Sequence, residues 1–436
     1  MSYESVLGID LGASYTKVSI RVEQAQPNAH CIYTRFVGQM PTLGIRDNSR
    51  GTDSWYFGEQ AANLEPGSKA RIYENWKAKL SLIESGRDTT EAVIVGFEFF
   101  KSLRKWLKTR NIDPDAQRVR VCVPALEHIE PYASTLAQIM DAAGWQEAVQ
   151  IVKVSEPRAN AVGIMSGGRN CILITEYPGY GQMFEQSLYT DWVYRALHEQ
   201  RPPIVKICIL DVGSFTTDIA GISMNLQAGV ADGISTSLQK SWRHGVINEL
   251  DAIVFPKLCD SYGIAWNSIK FTEREEMKKR LYAGKEFGIA AGTIGGKQND
   301  QKLITGALES FCTDLWAKVK TDVVTFNPEF CFLTGGGNRI ASIRQKLTSL
   351  FQSVGSRVIP VPDADPLSTD EPAEMVATAL GAASIILDAE EPNPGQPIFE
   401  PKHGLATDEV YCRCNGGNKD CCRCFGRGYY RKIERF

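Results

Sequence analysis

Apolar and polar residues alternate near the N-terminus in the manner of β-strands. Three such stretches, SVLGIDLG, YTKVSIRVE and HCIYTRFVG, fall within residues 4–37 and are separated by turn residues. Strict alternation over four to eight residues is typical of half-buried strands. The pattern therefore predicts three antiparallel strands at the beginning of the fold.

Helical periodicity and further strands follow, and the second half of the chain repeats this order. AVIVGFEFFKSLRKWLKTRN and YASTLAQIMDAAGW predict helices around the strand RVRVCVPA, and PRANAVGIMSGG predicts a helix after the strand VQIVKVSEP. In the second half, IVKICILDVGSFTTDIAGISM predicts a hairpin, EFCFLTGGGNRI a strand with a glycine turn, and EMVATALGAASIIL a late helix. Such a duplication predicts an α/β fold of two related lobes, with a ligand cleft between them.

The 436 residues are more than one ordinary domain holds. We expect lobe I over residues 1–204 and lobe II over 205–388, with the final helix of lobe II packing back on lobe I. The proline-rich, acidic residues 389–408 predict a linker, and residues 409–436 predict a small cysteine-rich module.

Composition and charge restrict the partners and the location. A net charge of -3 gives no general attraction to nucleic acid or anionic membranes, so we expect neither as a partner. The N-terminus has no basic start before an apolar run, and no apolar run has the length of a bilayer span. Seven cysteines are scattered, mostly among apolar neighbours, as in a reducing compartment. These features predict a cytoplasmic protein.

Two hairpin sequences, DLGASYTK and DVGSFTT, carry the same chemistry. A glycine permits a tight turn whose N–H groups, with the following hydroxyls, can approach phosphate oxygens. A carboxylate at the end of each preceding strand can hold a hydrated magnesium ion. One such hairpin is more often a structural turn, but two at equivalent points of duplicated lobes favour a nucleotide site. The residues concerned are Asp10, Gly12, Ser14, Tyr15 and Lys17 in the first hairpin and Asp211, Gly213, Ser214 and Thr216 in the second.

A third candidate element is FLTGGGNRI, in which three glycines follow a strand. Bare backbone and a helix start can lie close to a nucleotide. Gly335, Gly336 and Gly337 are therefore predicted to form a nucleotide wall, and Arg339 is predicted to stack on the base. Asp218, just after the second hairpin turn, is predicted to cap or brace that hairpin.

The set GIDLGASYT, VSEPRANAVG, LDVGSFTTDIAG, FLTGGGNRI and VATALGAAS resembles the ATPase core shared by actin, sugar kinases and the 70 kDa heat-shock chaperones. The chaperones are the most similar, because YFGEQAANL, ENWKAKL and SWRHGVINELDAIVFPKL resemble their pattern in order and spacing. The resemblance covers roughly residues 5–388. It implies a two-lobed actin-like fold with duplicated ribonuclease H-like lobes, ATP as the substrate and Mg²⁺ as its cofactor.

The resemblance also implies roles for individual residues. Asp10 and Asp211 would contact the water shell of magnesium, and Glu156 would order that shell or the attacking water. Thr216 would contact the terminal phosphate. These roles predict a catalytic centre between the two hairpins.

Several lysines compete for the catalytic role. Lys77 of ENWKAKL is similar to the chaperone lysine that stabilises charge on the transferred phosphoryl group, and Lys79 is a rival in the same stretch. Lys17 instead resembles the lysine of the actin hairpin, which reaches phosphate. Lys285 fits the pattern of the chaperone helix that lies beside adenosine.

Five cysteines crowd into YCRCNGGNKDCCRCFGRGYY. Pairs of thiolates on glycine-rich turns suit tetrahedral zinc, and so small a module needs a metal in order to fold. The segment CCRCFGRG resembles the cysteine-rich module of J-domain co-chaperones. We expect a structural Zn²⁺ site, with disulfides or unpaired thiols as the alternatives and Cys422 as a substitute ligand. The predicted ligands are Cys412, Cys414, Cys421 and Cys424.

The leading functional hypothesis is a chaperone-like ATPase that binds and hydrolyses Mg-ATP between two lobes to switch its conformation and its partner binding. Only a short segment follows the core, so we expect no peptide-binding domain; a protein partner or client would bind the C-terminal module or the 171–204 insert. The alternatives are an actin-like filament-forming ATPase, a small-metabolite kinase, and a core that binds nucleotide without turnover.

Overall fold

The protein has a mixed α/β fold in its computed structural model, which confirms the predicted class. The structure describes residues 5–26, 29–48, 54–65, 70–85, 88–126, 129–145, 154–165, 173–175, 204–225, 234–289, 292–359, 373–384, 405–411 and 429–435. Among these residues, no helix is long and apolar enough to cross a membrane.

The strands and the helices of the described residues are numbered separately, each in chain order. The strands are β1 (Val6–Leu11), β2 (Tyr15–Gln26), β3 (Ala29–Pro41), β4 (Gly44–Asp47), β5 (Ser54–Phe57), β6 (Ala70–Tyr73), β7 (Arg118–Val123), β8 (Val154–Ser155), β9 (Leu173–Thr175), β10 (Ile204–Val212), β11 (Thr217–Asn225), β12 (Ile234–Trp242), β13 (Phe287–Ile289), β14 (Gly292–Ile294), β15 (Phe330–Thr334), β16 (Arg357–Ile359), β17 (Leu405–Tyr411) and β18 (Tyr429–Arg435). The helices are α1 (Gly58–Asn63), α2 (Trp76–Leu80), α3 (Thr90–Lys108), α4 (Glu130–Ala142), α5 (Glu156–Met165), α6 (Ala252–Asp260), α7 (Phe271–Tyr282), α8 (Gln298–Phe326), α9 (Ala341–Ser353) and α10 (Ala373–Ser384).

Two large sheets share one arrangement of strands. The first sheet has the order β8-β7-β1-β2-β3-β9 and the second the order β12-β11-β10-β15-β16. In the first, β1 lies between antiparallel β2 and parallel β7. In the second, β10 lies between antiparallel β11 and parallel β15. The β1–β2 and β10–β11 hairpins therefore occupy equivalent positions.

Alternation along β1 divides its side chains between two faces. Leu7, Ile9 and Leu11 are fully buried in one hydrophobic cluster with side chains of α3 and α4. The other face, at Gly8, lies against the backbone of α10. In the second sheet, Leu210 and Val212 of β10 are buried in a separate cluster with α6, α8 and α9. Each hairpin thus begins on a strand that is fixed in the fold by buried apolar side chains.

Helix α10 lies against α5 as well as β1. Small residues permit this contact, since a Cβ on Gly163 would overlap the backbone of Ala377 and a Cβ on Gly381 would overlap that of Ala159. Arg120 of β7 donates hydrogen bonds to carbonyl groups in the last turn of α10. The helix that ends the repeated pattern therefore packs on elements of the first half of the chain.

One small sheet of the fold was not predicted from the sequence. Its strand order is β5-β4-β6, and each strand has only four residues, which is the shortest stretch over which alternation indicates a strand. Most of the 171–204 insert and the 389–408 linker, and all five clustered cysteines, lie outside the described residues.

Candidate functional site

The two hairpin turns face each other. The hydroxyl oxygens of Ser14 and Ser214 lie 2.8 Å apart although the residues come from different sheets. A Cβ on Gly12 or on Gly213 would overlap the carbonyl oxygen three residues later in its own turn. Glycine is therefore required by the local geometry of both turns, and their hydroxyls converge on one place.

The charges of three carboxylates act on the ammonium group of Lys17. Asp10 and Lys17 are paired across β1 and β2, and the Lys17 Nζ lies 3.1 Å from the Asp10 Oδ2. Burial lowers the pKa of Lys17, but the charges of Asp10, Asp211 and Glu156 outweigh burial and raise it. Lys17 therefore stays charged near Asp10, Asp211 and Glu156, and the region of these three carboxylates is called the acidic cleft below.

A second cation, Lys77 on α2, forms a buried ion pair with Glu156 at the start of α5. The Lys77 Nζ lies 2.6 Å from the Glu156 Oε1, and the two residues are 2% and 7% exposed. Burial lowers the pKa of Lys77, but Glu156 and further anionic neighbours outweigh it, so the pKa is raised. Burial also raises the pKa of Glu156, with Lys77 opposing the shift. Lys79, the rival on the same helix, is exposed.

The carboxylate of Asp211 is enclosed on two sides. Its Oδ2 accepts a hydrogen bond of 2.5 Å from the amide of Asn160, and a Cβ on Gly335 would overlap its Oδ1. Burial, strengthened by Asp10 and Glu156, raises the pKa of Asp211 to about 7, against the opposing effects of Lys17 and Asn160. Asp211 is therefore held in one orientation.

Asp218 forms the brace that was predicted for the second hairpin. It is 5% exposed and accepts hydrogen bonds from Thr216, at 3.1 Å, and from Ser241 on β12. Burial and the nearby charges of Glu156 and Asp211 raise its pKa well above the ordinary value. Thr216, predicted to contact phosphate, thus has its hydroxyl directed by a buried carboxyl group.

A cavity of about 260 Å³ opens beside the first hairpin. Its charged side chains are already paired, because Arg274 bonds Glu74 across the cleft and the Lys278 Nζ lies 2.9 Å from Asp251. The described residues that line the cavity are Ala13, Ser14, Thr42, Leu43, Glu74, Asn75, Ile247, Asp251, Ala252, Pro256, Trp266, Phe271, Arg274, Glu275 and Lys278. The lining also contains the aromatic rings of Trp266 and Phe271, called the aromatic wall below.

The aromatic wall touches the first hairpin. The rings of Tyr15 and Phe271 meet edge to face, with centroids 6.0 Å apart. Tyr15 was predicted to contact nucleotide, and it lies in the turn that supplies Ser14. The first residue of α7 therefore packs against the first hairpin.

The glycine element lies beside the second hairpin. Gly335 follows β15 with φ +84°, and a Cβ on Gly337 would overlap Val212. Gly336 and Arg339, in the same 3₁₀ turn, are exposed. The turn therefore lies beside Asp211, and its Arg339 is exposed to solvent.

No contact among the described residues places Lys285 beside the two hairpins or the glycine turn. It lies exposed in the turn after α7, where its N–H donates to the carbonyl of Arg280. Lys278, on the preceding helix, lines the cavity instead. The spacing of Glu275 and Lys278, one helical turn apart, was the signal in the sequence that could have identified it.

Asn160 is the other residue that sequence reasoning missed. It lies four residues after Glu156 on α5, and residues at this spacing share one face of a helix. That spacing could have placed Asn160 in the cleft. Its partners come from distant parts of the chain and had no local signal.

The arrangement fits a nucleotide with its magnesium ion. Carboxylate oxygens suit this ion, and glycine turns with hydroxyls suit phosphate. Among the described residues, no group of three or more His, Cys, Asp or Glu is placed to hold a metal ion. The predicted zinc ligands, Cys412 to Cys424, lie outside the described residues.

Comparisons with known proteins add no assignment to this site. The chain matches no protein-family model and no curated protein. Function is therefore inferred from the side chains and their geometry.

Proposed function

We propose that the protein is an ATPase that binds Mg-ATP between its two hairpins and hydrolyses it to switch conformation and partner binding, in the manner of the 70 kDa heat-shock chaperones. The observation that carries the proposal is the convergence of two Asp-x-Gly hairpins from equivalent positions of two sheets, at Ser14 and Ser214. The common strand order also supports a two-lobed actin-like fold. In this proposal, separate groups of residues bind the phosphates, catalyse hydrolysis and bind the nucleoside.

The turns bind the phosphates. Ser14, Ser214 and Thr216 supply hydroxyl groups, and the glycine turns supply backbone N–H groups. Asp10 and Asp211 would hold the magnesium ion through water. When bound, the ion would neutralise negative charge on the phosphates.

Glu156 and Lys77 form the catalytic pair. The Glu156 carboxylate orients the attacking water and accepts a hydrogen bond from it, a role that suits a buried carboxylate with a raised pKa. The Lys77 Nζ stabilises the charge that develops on the transferred phosphoryl oxygens. Lys17, between the carboxylates, provides a second cation for phosphate.

The nucleoside is assigned to the cleft between the glycine turn and the cavity. Gly335, Gly336 and Gly337 provide the wall, and Arg339 is exposed for stacking on the base. Lys278 replaces Lys285 as the basic residue on the α7 side.

The C-terminal region is proposed to hold structural zinc and to contact a partner. Strands β17 and β18 pair with Tyr411 and Tyr429 in register, so the residues that flank the cysteine-containing segment are neighbours in one sheet. Cys412, Cys414, Cys421 and Cys424 would bind the metal. A partner or client protein would bind this module or the 171–204 insert, and the cytoplasm is the proposed location.

A second candidate function is that of an actin-like filament-forming ATPase. The observation that favours it is the contact of Lys17 with Asp10, because the actin hairpin carries a lysine. ATP-dependent sedimentation of the purified protein distinguishes the two, since only a filament pellets.

Phosphate release from Mg-ATP tests the proposal. Wild type should release phosphate, Lys77→Ala should lose most of the turnover, and Lys79→Ala, an exposed change on the same helix, should leave it unaltered. Turnover that depends on Lys17 but not on Lys77 would transfer the catalytic role and favour the actin-like function. The hydrolytic function would be contradicted if wild type bound Mg-ATP without turning it over.

A further inference from the structure

Asn160 joins four elements of the fold at the acidic cleft. From α5, its Nδ2 donates to the Asp211 Oδ2 on β10, at 2.5 Å, and to the Thr378 Oγ1 on α10, at 3.0 Å. Its Oδ1 accepts from the Thr334 hydroxyl on β15, at 3.3 Å. Asn160 is 2% exposed, so this side chain has little contact with water.

The hydrogen bonds fix the orientation of the amide. A carboxylate can only accept, so the nitrogen of Asn160 must face Asp211 as long as Asp211 is ionised. Thr334 donates to the opposite side of the amide and is itself fully buried. Rotation of the amide would place two acceptors in contact, and one orientation is therefore favoured.

The same contacts restrain Asp211. Gly335 leaves no space beyond the Oδ1, and Asn160 holds the Oδ2. An alanine at position 160 would remove the donor and leave a space into which the carboxylate can rotate. The direction of the Asp211 carboxylate thus depends on a residue 51 positions away in the chain.

The supporting contact to Thr378 depends on how α10 packs. Helices α5 and α10 are in backbone contact at Gly163 and Gly381, so a shift of one helix against the other would move Thr378 relative to Asn160. The hydrogen bond from Asn160 to Thr378 is therefore sensitive to that packing.

We propose that Asn160 is a positioning residue that holds the Asp211 carboxylate ready for hydrated magnesium, and that Thr378 keeps Asn160 in place. This inference rests on the proposed Mg-ATP function. It connects α10, through Thr378 and Asn160, to the Asp211 carboxylate that would hold the hydrated magnesium ion.

The test compares ATP affinity with Mg²⁺ and with EDTA. Asn160→Ala should weaken binding by at least about tenfold with Mg²⁺ and by less than about twofold with EDTA, because the lost charge-assisted hydrogen bond acts on the metal carboxylate. Thr378→Val should lose about threefold with Mg²⁺, and Thr378→Ser, which keeps the hydroxyl, should behave as wild type. Equal losses in both conditions would reveal a merely structural role and overturn the proposal.

A crystal structure of nucleotide-free Asn160→Ala decides the positioning role without reference to ATP. A rotated Asp211 carboxylate supports the proposal, and an unmoved one overturns it. If wild type binds ATP in neither condition, the proposed function fails, while this structure still tests whether Asn160 positions Asp211.

Discussion

Replacing Lys77 by methionine isolates the energetic role of the buried ion pair. Methionine keeps the length of the side chain and removes its charge. Glu156 then remains buried without its nearest cation and near the carboxylates of Asp10 and Asp211. We expect the variant to be destabilised even without nucleotide, because an uncompensated buried charge is costly.

The magnitude follows from the protonation of Glu156. Breaking a buried pair costs about 3–5 kcal/mol. Glu156 can avoid remaining charged by binding a proton, and from its ordinary pKa of 4.5 this costs about 4 kcal/mol at pH 7.5. Lys17 also lowers the pKa of Glu156 and still compensates part of its charge. We therefore expect a loss of about 3 kcal/mol at pH 7.5.

The stability of the Lys77→Met variant should depend on pH. With its pKa raised in the folded variant, Glu156 binds a proton that the unfolded chain releases, so stability falls as pH rises above about 4.5. At pH 5.5 protonation costs only about 1.4 kcal/mol, and the loss in Lys77→Met should shrink accordingly. The double variant Lys77→Met/Glu156→Gln should recover most of the stability at both pH values.

Urea unfolding of nucleotide-free protein, followed by tryptophan fluorescence, measures these differences. Lys79→Met, an exposed change on the same helix, is the control and should alter the free energy of unfolding by no more than about 0.5 kcal/mol. The reasoning would be refuted by a double variant as unstable as Lys77→Met, or by a loss that is equal at pH 5.5 and 7.5.

Three further changes test the surroundings of the site. Asp211→Asn should gain stability over wild type as pH rises, because a pKa of about 7 makes the folded wild type bind a proton that the unfolded chain has lost; thermal unfolding should show a gain of roughly 4 kcal/mol at pH 8 and little gain near pH 4. Gly335→Ala should cost about 2 kcal/mol in urea unfolding, since its Cβ overlaps Asp211 and its φ is positive, whereas Gly355→Ala, at φ +86° with open space around it, should cost about 1 kcal/mol. Glu74→Gln should speed release of a fluorescent nucleotide about fivefold in stopped flow, because the bond to Arg274 crosses the cleft.

A specific result would contradict each of these three predictions. A stability gain of Asp211→Asn that does not vary with pH would show that the Asp211 carboxylate does not carry the raised pKa. Equal costs at Gly335 and Gly355 would leave only backbone strain and remove the close approach to Asp211. An unchanged release rate in Glu74→Gln would show that the pair with Arg274 does not limit nucleotide exit.

Local patterns were sufficient to predict the hairpins. Alternation along β1 and β10 stops at an aspartate, and a glycine turn with hydroxyls follows, so strand, turn and chemistry lie within a few neighbouring residues. The repeated order of elements predicted that the two hairpins would be equivalent. Their facing arrangement at Ser14 and Ser214 was consistent with that duplication.

Long-range contacts could not be derived in this way. Lys77 and Glu156 are 79 positions apart, and only burial in three dimensions distinguishes Lys77 from Lys79 on the same short helix. Asn160 and Thr378 are 218 positions apart, so neither residue carries a local sign of the other. Lys285 was selected by its fit to a helical pattern, but the described helix ends at Tyr282, before that lysine.

Equilibrium binding of Mg-ATP tests the central claim most directly. Calorimetric titration should show binding to wild type and to Asp260→Ala, an exposed change on α6, and at least about tenfold weaker binding to a folded Asp211→Ala. Wild type that does not bind Mg-ATP, or Asp211→Ala with wild-type affinity, would contradict the assignment of the two hairpins to a nucleotide site.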